Sequence, residues 1–122
     1  MATKSAASSF ASLCAACAAL PGVTQDVKWG EDLVFSVGSK MFAVTRTDGS
    51  NIFSFKVDDD RFLELTDRPG IIPAPYLARA KWVQITDSKA LSNAEAIALL
   101  ERSYQLVFAK LTKKLQQEIG HE

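Results

Sequence analysis

Between Leu33 and Val57 the apolar residues of this chain recur at every second position. Leu33, Phe35 and Val37 alternate with Val34 and Ser36. Phe42 and Val44 alternate with Met41, Ala43 and Thr45, and Phe53, Phe55 and Val57 with Ile52, Ser54 and Lys56. A period of two belongs to a strand, whose successive side chains stand on opposite faces of a sheet. The breaks, Gly38-Ser39 and Asp48-Gly49-Ser50-Asn51, are turn formers. The stretch therefore predicts three antiparallel strands joined by two hairpins, and a sheet that must be covered on at least one face.

The flanks carry the helical period. Phe10, Leu13, Cys14, Cys17 and Leu20 form one apolar stripe before Leu20-Pro21-Gly22 stops the helix. The same start, with Lys4 and an apolar Phe10 to Leu20, also fits the outline of a signal peptide, but the amphipathic spacing favours a mature first helix. At the other end Ser92-x-x-Glu95 is a capping box. Ile97, Leu100, Tyr104, Val107, Leu111, Leu115 and Ile119 continue from it, as one long helix or as two with a bend near Ser103. Between the flanks, Asp58-Asp59-Asp60 reads as the cap and acidic first turn of a short helix rather than as a metal cage. Arg68 to Tyr76 is a proline-rich loop, and Lys81 to Thr86 a fourth strand.

The order predicts an α+β fold: an antiparallel sheet of about four strands with helices packed on one face, forming one domain over residues 1–122. Composition agrees, with 48% hydrophobic and 23% charged residues among 122. No run reaches the ~18 apolar residues of a membrane span. Fourteen basic and fourteen acidic residues cancel, which excludes a uniformly basic coat for nucleic acid and leaves room for a local basic patch.

Chemistry-bearing groups are few. Cys14 and Cys17 are spaced C-x-x-C, but inside an Ala-rich helix they read as small hydrophobes, and so few cysteines suit a reducing, cytoplasmic setting. The single histidine, His121, supplies neither a metal site nor a catalytic triad, Ser103 lies mid-helix, and no phosphate-binding loop occurs. The expectation is a protein that is not an enzyme, with no cofactor and no metal.

Strand parity assigns Phe35, Phe42, Val44, Phe53 and Phe55 to the helix side. Ser36, Ala43, Thr45, Ser54, Lys56, Trp82 and Gln84 then fall on the opposite face. Two readings of Trp82 fit: a wet aromatic on a binding surface, or one covered by the proline-rich loop or by the chain end. On the first, Trp82, Tyr76, Ser54 and Gln84 would bind a protein or a small ligand.

Several short stretches together resemble the MmcQ/YjbR family of small bacterial proteins. They are Leu20-Pro21-Gly22, Trp29-Gly30, Val37 to Ala43, Phe55-Lys56, Gly70 with Pro73-Ala74-Pro75-Tyr76, Lys81-Trp82-Val83, Ser103-Tyr104 and Lys113-Lys114. One departure is Ser39, where the family more often has a second Gly. The resemblance implies a sandwich similar to CyaY, the bacterial frataxin, and a double-wing contact with double-stranded DNA. Carried onto this chain, the wings are the turns at Gly38-Ser39-Lys40 and at Asp48 to Asn51, with Lys40, Arg46, Lys56, Arg79 and Lys81 as the phosphate-contacting cations. The frataxin likeness also suggests iron, but the first helix lacks an acidic ridge: Ala2 to Leu20 contains no Asp or Glu.

Overall fold

The computed structural model describes residues 10–28, 30–48, 50, 52–75 and 77–120. Its strands are β1 (Val23–Lys28), β2 (Asp32–Val37), β3 (Lys40–Arg46), β4 (Phe53–Lys56), β5 (Ile71–Pro73) and β6 (Trp82–Ile85). Its helices are α1 (Phe10–Ala18), α2 (Asp59–Thr66), α3 (Asn93–Phe108) and α4 (Lys113–Gly120). Every pairing is antiparallel and the order across the sheet is β1-β2-β3-β4-β6-β5. The predicted α+β architecture holds, with six strands among the described residues where about four were expected. The additional two are the edges. β1 reads Val-Thr-Gln-Asp-Val-Lys and exposes all but its first residue, so it carries no apolar alternation. β5 is three residues ending in proline, which suits an edge because proline cannot donate to a ladder.

One face of the sheet is dry. Phe35, Phe42, Phe53 and Phe55 are essentially inaccessible and meet Leu13, Cys17, Leu99, Leu100 and Tyr104 from α1 and α3. Each such phenyl contributes roughly 2–3 kcal/mol by leaving water. Tyr104 sits edge-on to Phe42 at 5.5 Å, and its hydroxyl donates to the Pro21 carbonyl at 2.6 Å, tying α3 to the end of the α1 stop signal.

The alternation is not continuous along β3. Ala43 pairs with Phe35, but the next pair is Met41 with Ser36, so Phe42 is an inserted bulge residue. A bulge shifts side-chain parity by one, turning the rest of the strand over. Ala43 and Thr45 therefore lie on the helix side, both buried, and Val44 lies on the opposite face beside Ser54. This corrects the expected placement of all three. The buried Thr45 hydroxyl donates to the Ile52 carbonyl at 2.6 Å.

Helix ends also depart from expectation. α3 runs unbroken through Ser103, and the interruption falls after Phe108, with Thr112 Oγ1 accepting the Leu115 N–H to start α4. Ser92 accepts the Glu95 N–H at 3.1 Å as a cap should, but the Glu95 carboxylate turns to Arg68. Asp58 occupies the N-cap of α2 without capping it by its side chain. Both its oxygens take the Arg102 guanidinium at 2.9 Å, a bidentate, charge-assisted pair stronger than one neutral N–H cap. Asp59 and Asp60 remain in the first turn, and no cluster with metal-ligand character occurs among the described residues.

Candidate functional site

The face away from the helices is built from β2, β3, β4 and β6. The β4–β6 register sets Ser54 beside Gln84 and Lys56 beside Trp82. Gln84 Nε2 donates to Ser54 Oγ at 3.2 Å, joining two of the predicted ligand-contacting residues. They line a groove of about 580 Å³ with Met41, Val44, Ile52 and Leu77. Tyr76 lies outside the described residues.

Trp82 belongs to a different place. It is 5% exposed, so of the two readings the covered one holds. Its backbone N–H donates to the Leu77 carbonyl and its backbone carbonyl accepts the Ala74 N–H, so Ala74 and Leu77 are tied to the start of β6. Lys56 lies across the same spot, its ammonium donating to the Ala80 carbonyl at 2.6 Å. Trp82 lines a second, shallower pocket of about 480 Å³, with Met41, Leu106 and Val107 and the cations Lys40, Lys56 and Lys110.

The five predicted cations divide between the ends of the sheet. Lys40 opens β3, Lys56 closes β4, and Arg79 and Lys81 immediately precede β6. The antiparallel register gathers these four at one end, where Lys110 joins them from beyond α3. Lys81 holds a left-handed backbone, φ +64°, and its ammonium stands 5.2 Å over the Phe62 ring. Arg46 closes β3 at the opposite end. Six strand steps of ~3.4 Å put it roughly 20 Å from Lys40.

Availability separates the cations further. Arg46 is held between Asp32 and Asp48, at 2.9 Å from each. Asp48, accepting from Arg46 first and from Ser50 second, is pulled down to about 2. Arg61, Arg68 and Arg102 are likewise paired with carboxylates, and among the described residues the ion pairs are all made by arginines. Lys40, Arg79 and Lys110 are exposed and stand outside those pairs.

The first expected wing is not a free projection. Gly38 and Ser39 form a two-residue hairpin with both φ values positive, +57° and +70°. A Cβ on Gly38 would come within 2.7 Å of Leu111, so the tip lies against the junction of α3 and α4. Of the second turn, Asp48 and Ser50 are described, and the Asp48 carboxylate accepts the Ser50 N–H at 3.0 Å. Gly49 and Asn51 lie outside the described residues.

Met41, which lines both cavities, and Lys110, which lines the second, are not among the expected site residues.

A helix-covered antiparallel sheet with basic side chains gathered at one end and a groove on its outer face defines a small α+β domain. The YjbR family model matches residues 18–106, and the chain belongs to that family, which is not a known enzyme family. It is similar to a Deinococcus radiodurans protein with a DUF419 domain, whose crystal structure superposes with a TM-score of 0.81 at 28% identity, covering 98% of this chain and 92% of that one. A Pseudomonas syringae protein shares the fold at a TM-score of 0.58 and 22% identity, over 70% of this chain and 86% of that one. No curated protein matches. Among the described residues no helix is long and apolar enough to cross a membrane.

Proposed function

We propose that this chain is a non-enzymatic nucleic-acid-binding module that contacts double-stranded DNA with the basic end of its sheet rather than with two wings. The observation that carries the reading is the convergence of Lys40, Lys56 and Lys110 on one pocket, with Arg79 and Lys81 beside it. Cations outside ion pairs can neutralise phosphates and release counterions, whereas Arg46 would first have to leave two carboxylates. Zero net charge then demands only that the charge be sorted in space. Two free cysteines suit the reducing, cytoplasmic setting this reading implies.

Fluorescence anisotropy of a labelled duplex, titrated at low salt and at ~0.2 M salt, tests it. Saturable binding that weakens steeply with salt, and is lost in Lys40→Ala with Lys110→Ala but kept in Arg46→Ala, is the expected result. Absence of low-salt binding by the folded protein would sink the reading.

A second reading rests on the groove over Ser54 and Gln84. Its volume, about 580 Å³, lies in the range of small-ligand sites, and it is lined by that polar pair, by Thr45 and the Arg46–Asp32 ion pair, and by the apolar Met41, Val44, Ile52 and Leu77. A small-molecule fragment screen followed by amide shifts would favour it if hits perturb Ser54 and Gln84 and Val44→Trp abolishes them.

A further inference from the structure

The shape of the basic pocket says more than its charge. A duplex is a convex cylinder and meets projecting side chains. The three lysines here instead line a concavity of about 480 Å³ together with the apolar Met41, Leu106, Val107 and Trp82. We infer that the pocket seats one unpaired nucleotide, with its phosphate among Lys40, Lys56 and Lys110 and its base on the apolar lining. This rests on the nucleic-acid reading above and narrows it to DNA ends with a 5′-phosphorylated overhang.

Three features support the assignment. Lys56 is fixed by its bond to the Ala80 carbonyl, so one ammonium is already in position. Lysine ammoniums act on a phosphate as point charges and impose no planar geometry. A base presents a π-face whatever its identity, so an apolar lining takes it without sequence preference.

The end of α3, which would ordinarily be negative, is also quietened. Ala109, Lys110 and Leu111 N–H groups donate to the Gln105, Val107 and Phe108 carbonyls. Gln116 Nε2 adds donations to Phe108, Ala109 and Leu111. Few free carbonyls are left there to repel an anion. Asp58, the carboxylate that follows β4, is engaged by Arg102.

The test is anisotropy with two labelled duplexes of equal length, one blunt with 5′-hydroxyl ends and one with a 5′-phosphorylated single-nucleotide overhang. The overhang duplex is expected to bind about tenfold tighter or more, the scale of one charge-assisted contact. Deoxyadenosine monophosphate should compete, and better than inorganic phosphate. Lys110→Glu should abolish the preference, while Lys89→Glu, on a distant exposed turn, should leave it intact. Equal binding of the two duplexes, or competition by inorganic phosphate as strong as by the nucleotide, overturns the pocket assignment and leaves duplex binding standing. Binding of neither duplex at low salt overturns both.

Discussion

The Ser103 hydroxyl donates to the Phe42 carbonyl at 2.6 Å across 61 residues of chain, and accepts the Lys56 N–H at 3.0 Å. It occupies the point where β3 and β4 part: the last pair of their ladder is Ala43 with Phe55. The bulge at Phe42 and the end of the ladder leave a carbonyl and an N–H facing each other across a gap. A helix side chain fills it, and Ser103 is 0% exposed. That contact fixes the ends of the two strands that present Lys40 and Lys56.

Ser103→Ala strands the Phe42 carbonyl and the Lys56 N–H, and should destabilise the fold by about 2 kcal/mol. Urea denaturation measures it. A loss no larger than that of Ser54→Ala, whose hydroxyl accepts from Gln84, would show that the bridge carries little.

Ser39 holds φ +70° in the first hairpin, a region that costs a residue with a Cβ roughly 1–2 kcal/mol. Ser39→Gly relieves this and gives back part of it as unfolded-chain entropy, so a net gain of about 0.5–1 kcal/mol is expected. Ser39→Val should cost at least as much. Thermal melts of the three proteins decide, and a Val variant as stable as the Gly variant would contradict the turn geometry.

Most of the architecture was legible because apolar periodicity is a local property. The alternation of Leu33 to Val57 and the stripe through Tyr104 identify strands and helix without tertiary knowledge. What escaped depends on pairs distant in sequence. Nothing local in Met41-Phe42-Ala43 announces the bulge that turns Ala43, Val44 and Thr45 over. β1 is invisible to periodicity because both its faces are wet. The site was half legible: Lys40, Lys56, Arg79 and Lys81 meet at one end, whereas Arg46 shares their charge but not their location. Its neutralisation by Asp32, fourteen residues away, is a tertiary fact.

The clamp on Arg46 has a pH signature. The Asp48 carboxyl, held at about 2 against an ordinary 3.8, favours the folded chain above pH ~4 and loses that advantage as pH falls from 3.8 towards 2. Its place at the solvent-exposed surface keeps the stability effect small, so the titration itself is the readout. Carboxyl NMR should give a midpoint near 2, returning towards 3.8 in Arg46→Ala. An unshifted midpoint in the unsubstituted protein would mean that Asp48 does not hold Arg46 and that Asp32 is left as the carboxylate engaging it.

The C-x-x-C pair should be chemically quiet. Burial first, and the neighbouring Cys14 second, push the Cys17 thiol up to about 12, and burial also raises Cys14. At pH 8 roughly one Cys17 in ten thousand is a thiolate, and the thiolate is the nucleophile. Iodoacetamide should modify Cys14 slowly and Cys17 only on unfolding. Rapid alkylation of both in the folded protein would refute the structural reading of the pair.

The central claim is that the basic end of the sheet is the nucleic-acid surface. Amide chemical-shift mapping of the ¹⁵N-labelled protein with a short duplex at low salt tests it most directly. Perturbations are expected at Lys40, Lys56, Arg79, Lys81 and Lys110, with Asp32, Arg46 and Asp48 unmoved. Shifts centred on Arg46 and Asp48, or no shifts at all, would contradict it.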